Sequence, residues 1–122
     1  MPRKKKKKKL WSKQSKYECK DGSLVLMDST WEVAMAERLD HLKIEWERRE
    51  DIKLPYFSKS GRKRNYIPDF YLPEYDTYIE VKGYWTDAAR YKMASVQSTN
   101  VVKVVILESL DDVKKFSRRK LK

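Results

Sequence analysis

Two runs of aromatic and β-branched residues stand four residues apart: Tyr66-Ile67-Pro68-Asp69-Phe70-Tyr71-Leu72 and Thr77-Tyr78-Ile79-Glu80-Val81-Lys82. Both compositions predict strands, and Pro73-Glu74-Tyr75-Asp76 is the length and chemistry of a hairpin turn. Pairing the two strands brings Asp69 close to Glu80. Side chains alternate along a strand, so Glu80 and Lys82 share one face and Val81 points to the other. Two carboxylates and an ammonium then converge at one strand end. Hard divalent cations take such oxygen donors, and the lysine is left beside the ion for a water or a phosphate. Taken singly, each charge reads as part of a solvated strand face. Taken together they point to a site, because Asp is unfavourable inside an aromatic strand and Asp69 invites a functional explanation.

The 122 residues suit one domain with a single modest core. Net charge is +11, and it is unevenly placed: residues 1–20 carry ten basic side chains and one acid. The remaining 102 residues carry 19 basic and 17 acidic ones, close to balance. The excess therefore sits on an arm over residues 1–16, with Lys4, Lys5, Lys6, Lys7, Lys8 and Lys9 unbroken, and self-repulsion predicts that it is disordered. Such an arm suits phosphate contact; an import-like signal and simple solubility are the competing uses. Polyanions, and nucleic acid first among them, are the implied partner.

One cysteine, Cys19, excludes an intramolecular disulfide framework and fits a reducing compartment. No apolar run reaches the length of a membrane span, and no apolar segment follows the basic stretch as in a secretory signal. A cytoplasmic protein is expected, with nuclear import left open by the lysine run.

Around the central pair, Tyr17-Glu18-Cys19 and Leu24–Met27 predict a short hairpin over Lys20-Asp21-Gly22. Ser29 opens a helix with Trp31, Ala34, Met35, Leu39 and Leu42 on one stripe. Ser29 with Glu32 three positions later matches a capping box, so the Glu32 carboxylate has a capping role open to it as well as a site role. Residues 52–57 predict a strand, and 58–65, with Lys59, Arg62, Lys63 and Arg64, a basic loop available to phosphate. Thr86 or Asp87 caps a helix to about Gln97 bearing Ala89, Met93 and Val96. Val101–Leu107 predicts a central strand buried on both faces. Ser109 caps a last helix with Leu110, Val113 and Phe116, whose basic end, 118–122, suits a helix C-terminus. His41, the sole histidine, falls on a helix surface. The fold class is α/β, a mixed central sheet flanked by helices.

Ser29-Thr30-Trp31-Glu32, then Tyr66-Ile67-Pro68-Asp69-Phe70, then Ile79-Glu80-Val81-Lys82-Gly83-Tyr84-Trp85 together resemble the PD-(D/E)xK restriction-endonuclease-like nucleases. Within that superfamily the pattern looks most like phage endonuclease I, a Holliday-junction resolvase, and is similar to transposon endonuclease subunits and small homing-type nucleases. The resemblance spans about residues 29–107. It implies a restriction-endonuclease-like core over residues 17–122, with Asp69 and Glu80 as metal-binding carboxylates and Lys82 as the catalytic lysine. It also implies Glu32 as the acid from the first helix and the Val81 carbonyl as a further metal ligand. Mg²⁺, with Mn²⁺ able to substitute, is the implied cofactor. The implied activity is hydrolysis of DNA phosphodiesters, structure-specific on branched DNA such as a Holliday junction, or nicking, by a homodimer. A site-specific mobile-element endonuclease and a non-catalytic basic DNA-binding protein are the alternatives.

Deleting residues 1–9, which remove Arg3 and six lysines but no acid, is expected to weaken DNA binding and flatten its salt dependence. The slope of log affinity against log salt should shrink by about 0.9 for each phosphate the arm neutralises. A salt series on one DNA with full-length and truncated protein measures this; equal slopes would show that the arm does not touch DNA.

Overall fold

The computed structural model describes residues 15–83 and 85–121; Lys4 to Lys9, and with them the expected disorder of the arm, lie outside these. Strands β1 (Ser15–Glu18) and β2 (Leu24–Met27) pair antiparallel, Ser15 opposite Met27 and Lys16 opposite Leu26. Residues 15 and 16, assigned to the arm from composition, therefore belong to the fold. The connecting turn uses Gly22 at φ +89°, where a β-carbon is disfavoured, and the Asp21 carboxylate accepts from both Ser23 N and Ser23 Oγ.

Helix α1 (Thr30–His41) begins as its sequence dictates, with Ser29 Oγ accepting from Glu32 N at 3.2 Å. Met35, Ala36 and Leu39 are fully buried. Ala36 lies off the apolar stripe read from sequence and is buried because α1 is also covered by the C-terminal helix α3 (Leu110–Lys115). That contact is tied by polar clamps. Arg38 Nε donates to Phe116 O at 2.8 Å. Arg118 gives Nη1 to Tyr75 Oη at 2.6 Å and Nη2 to Leu42 O at 2.7 Å. The basic C-terminal end thus has a structural use. The helix there stops at Lys115, and 118–121 form a short 3₁₀ turn.

The middle of the chain departs from the sequence expectation. Strand β3 (Leu54–Phe57) pairs antiparallel with β4 (Lys63–Tyr66), Phe57 opposite Lys63 and Leu54 opposite Tyr66. Only 58–62 form the loop, turned at Gly61 with φ +88°, so Lys63 and Arg64 lie on a strand. The run 66–72 is likewise two strands. Pro68 has no N–H to give a ladder, so pairing breaks over 67–69 and resumes as β5 (Phe70–Leu72). One aromatic run serves two sheets.

Strand β5 pairs antiparallel with β6 (Thr77–Val81), and β6 pairs parallel with β7 (Lys103–Leu107) after the crossover helix α2 (Asp87–Asn100). This three-stranded sheet is mixed, as expected, but β1–β2 and β3–β4 form two further small sheets instead of joining it. Helix α2 runs three residues past Gln97, and Val101 ends it in a left-handed conformation at φ 52°, 89 % exposed. Val101 is therefore a helix terminus and not strand. Among the described residues β7 is an edge strand; the central one is β6.

Strand alternation on β6 and β7 divides the interior in two. Ile79 and Leu107 face a core with Met27, Met35, Leu39, Phe70, Leu72, Val113 and Phe116. Tyr78, Val104 and Ile106 face a second core, in which Tyr56 and Tyr66 of β3–β4 meet Met93 and Val96 of α2. No helix among the described residues is long and apolar enough to cross a membrane.

Phe116 is fully buried where α1, α3 and the sheet meet. Phe116→Ala is expected to lower stability by about 3–5 kcal/mol, read as the shift in urea unfolding; a loss below about 1 kcal/mol would contradict this packing.

Candidate functional site

The sheet register assembles the site. Phe70 pairs with Ile79, and one step further along both strands Asp69 stands opposite Glu80. Asp69 belongs to the non-ladder stretch after Pro68, which frees its side chain to turn inward. Its Oδ2 accepts from Val81 N at 2.8 Å, and its backbone carbonyl accepts from Arg48 Nη1 at 3.1 Å. Glu80 points to the second core, where the Tyr66 hydroxyl donates a short hydrogen bond to Oε1. Lys82 leaves the end of β6 anchored by its N–H to Leu107 O at 2.9 Å, and its charge acts on Glu80.

Glu32 reaches the same neighbourhood from α1. Its side chain is 9 % exposed, and Oε1 takes Asp28 N at 3.0 Å and Arg48 Nη2 at 3.0 Å. Of the two roles open to Glu32, the capping one is seen here. It caps the helix start, one residue earlier than a capping box requires, and it lies close enough to Asp69 and Glu80 to repel both.

Burial and mutual repulsion dominate the electrostatics. The Asp69 carboxyl is pushed up to about 8, first by desolvation and then by Glu80 and Glu32; the Val81 N–H and Arg48 oppose the shift. Glu80 is also raised by desolvation, against the Tyr66 hydrogen bond and the charges of Lys82 and Lys92. Desolvation raises Glu32 as well, with Arg48 opposing. Tyr66 is pushed far above the ordinary phenol range by burial beside Glu80, so it stays a hydrogen-bond donor. Two like charges so close and partly desolvated oppose each other's ionisation, so the Asp69–Glu80 pair resists full ionisation near neutral pH.

In chemistry, the donor set fits a hard divalent cation: a cation would replace the retained proton, and Asp69 Oδ1 has no protein partner among the described residues. In placement, the fit is incomplete. Among the described residues no group of three His, Cys, Asp or Glu side chains is gathered to hold a metal ion. Glu32 is the reason, since its carboxylate is committed to Arg48 and Asp28. Asp69 and Glu80 are brought together, Lys82 joins them, and Glu32 stands behind an arginine.

Three neighbours escaped the sequence reading. Arg48 follows Glu47, whose N–H and carbonyl bridge to Tyr71 at 2.8 Å, so it runs beside β5 and collects Glu32, Asp28 and Leu26 O. Tyr66 and Lys92 come from β4 and α2. Lys92 Nζ lies 5.3 Å from the Tyr66 ring centre and 5.8 Å from that of Tyr56. Their only local signal was an aromatic or basic side chain in a predicted strand, loop or helix. Arg62 and Lys63 are exposed on the β3–β4 hairpin with Arg64, and none of the three contacts the carboxylates. His41 is exposed at the end of α1, outside the site.

A cleft of about 580 Å³ between the β1–β2 turn and residues 43–48 does not have Lys82 in its wall and shares only Arg48 with the carboxylate cluster. A second, of about 480 Å³, has Pro68 and Asp69 in its wall. No family model, curated protein or solved structure matches this chain.

Raised carboxyl pKa values mean that the folded protein holds protons which the unfolded chain releases. The stability this contributes is present below the ordinary carboxylate range and is lost as pH rises toward about 8. Metal-free protein should therefore lose stability between about pH 4 and pH 8, at up to about 1.4 kcal/mol per pH unit for one proton. Asp69→Asn, which keeps an acceptor for Val81 N, should flatten that slope and melt higher than wild type at pH 8. Parallel slopes for the two proteins in thermal melts would refute the assignment.

Proposed function

We propose that this protein is a divalent-metal-dependent DNA endonuclease of the PD-(D/E)xK kind, built on a restriction-endonuclease-like core. The observation that carries the reading is the placement of Asp69, just before β5, opposite Glu80 on β6, both half-buried with raised carboxyl pKa values, and with Lys82 at the strand exit. Clustered buried carboxylates cost stability, and a protein that merely bound DNA would gain nothing from placing them beside phosphate. The order of elements supports the reading: an acid on the first helix, an aspartate entering one strand, Glu-x-Lys on the next, and a helical crossover to a parallel strand.

Asp69 and Glu80 would hold the cation, with the Val81 carbonyl and, once released from Arg48, Glu32 as further donors. Mg²⁺ or Mn²⁺ supplies Lewis acidity for the phosphoryl oxygens and a more acidic bound water. The chain's own residues do the rest. Val81 N–H fixes the Asp69 carboxylate, and Tyr66 fixes Glu80. Lys82 places an ammonium where negative charge grows on the phosphate or on the attacking water. The two raised carboxyls would release their retained proton to solvent on loading, so activity should increase with pH through the neutral range.

Cleavage of branched DNA, or nicking, is the proposed reaction, and cleavage of both strands by one site per chain calls for a symmetric homodimer. Sedimentation showing only monomer, with and without DNA, would remove the dimer. The proposed reading is tested by metal-dependent cleavage of four-way junction, flap and linear duplex. Chelation should abolish the activity. Asp69→Ala, Glu80→Ala and Lys82→Ala should each lower the cleavage rate by about 100-fold or more while the protein stays folded. DNA binding should persist, and tighten in the two carboxylate variants, because less negative charge faces the phosphate. Folded Lys82→Ala with full activity would remove Lys82 from the mechanism; metal-independent binding without cleavage would leave a non-catalytic DNA-binding protein.

A further inference from the structure

A third cleft, of about 440 Å³, lies between the β3–β4 hairpin and the first turns of α2. Its wall carries Lys59, Arg64 and Lys92, with the rings of Tyr56 and Tyr91, and among the described residues no carboxylate lines it. The other two clefts mix acids with bases, with Asp21, Asp40, Glu45 and Glu47 in one and Asp28, Glu50 and Asp69 in the other. In this one every charged lining residue is cationic.

It is also joined to the carboxylate site. Lys92 is held over both tyrosine rings, and the Tyr66 ring beneath it ends in the hydroxyl that donates to Glu80. The Lys92 charge acts on Glu80 from that position. Lys92 therefore stands at the boundary, with the cleft on one side and the site on the other. The hairpin bearing Lys59 and Arg64 is fastened to α2 by Ser95 Oγ, which donates to Phe57 O at 3.1 Å and accepts from Phe57 N at 3.3 Å. The cationic wall is thus fixed relative to the helix, which lowers the ordering cost of binding.

We propose that this cleft binds the phosphate backbone of the DNA strand leading to the scissile phosphodiester, with Lys59, Arg64 and Lys92 as its phosphate contacts. The inference rests on the nuclease reading for the word scissile, and on charge and continuity for the rest. Cationic side chains spaced along a groove track a backbone without reading bases, so the subsite is indifferent to sequence. Tyr91, 43 % exposed in the wall, offers a face to a sugar or an unpaired base.

The test compares full-length wild type with Lys59→Gln, Arg64→Gln, Lys92→Gln combined, binding a labelled DNA duplex in EDTA across a potassium chloride series. A control combines Lys43→Gln, Lys114→Gln and Lys120→Gln, which remove the same charge from exposed positions outside the cleft. The cleft variant should bind about tenfold or more weakly at low salt, and its salt slope should fall by about 2 to 3. The control should keep most of the wild-type slope. If Lys92→Gln lowers the melting temperature by removing its contacts with the rings, the Lys59, Arg64 pair alone should still lower the slope by about 2. A wild-type slope in the cleft variant, or an equal loss in the control, overturns the inference. Loss of binding in the cleft variant, with no metal-dependent cleavage by wild type, keeps the cleft as a DNA site and removes the nuclease reading instead.

Discussion

Everything in this fold is arranged around the two-residue alternation of β6. Its odd positions, Thr77, Ile79 and Val81, turn toward α1 and α3, while Tyr78 and Glu80 turn toward α2 and the β3–β4 hairpin. A strand that must feed two cores has to lie between neighbours, and β6 does, with β5 antiparallel on one side and β7 parallel on the other. A slip of one residue in its register would move Ile79 out of the larger core and Glu80 into it. Hydrophobic burial on one face therefore fixes where the carboxylate sits on the other.

The cost of that placement shows in the charges around it. Three carboxyls lie in a region where each is raised by burial, and the fold counters them with separate cations on separate elements. Arg48 serves Glu32 and the Asp69 carbonyl, Lys92 faces Glu80 from α2, and Lys82 closes the strand end. None of these cations forms a tight pair with both Asp69 and Glu80. The pair keeps a proton instead, a state that suits exchange for a harder, more highly charged ligand. Arg48 divides the roles further: while it holds Glu32, that acid supports the helix start and stays out of the paired carboxylates.

Much of the fold was readable because it obeys local rules. Ser29, Thr86 and Ser109 each cap a helix through the side-chain oxygen, as their positions foretold. The β1–β2 and β5–β6 hairpins follow from their turn residues. Readings failed where tertiary pairing overrode local composition. Lys63, Arg64 and Asn65 look like loop but form strand, because Tyr66 beside them is anchored in the second core and Leu54 to Phe57 offer a partner. Val101 looks like strand but ends a helix, since the crossover needs its chain reversed before β7.

The same division runs through the site. Sequence alone determined that Asp69, Glu80 and Lys82 would meet, because a short hairpin leaves one simple register and alternation sends Glu80 and Lys82 the same way. It also determined that Glu32 would open a helix. Only the tertiary structure decided what surrounds them: Arg48 is 16 residues from Glu32 along the chain, and Lys92 is 12 from Glu80. No local pattern ties such pairs together. Their meeting depends on how α2 crosses the sheet and how the chain after α1 runs beside β5, and these are set by the packing of two hydrophobic cores and not by any neighbouring residue.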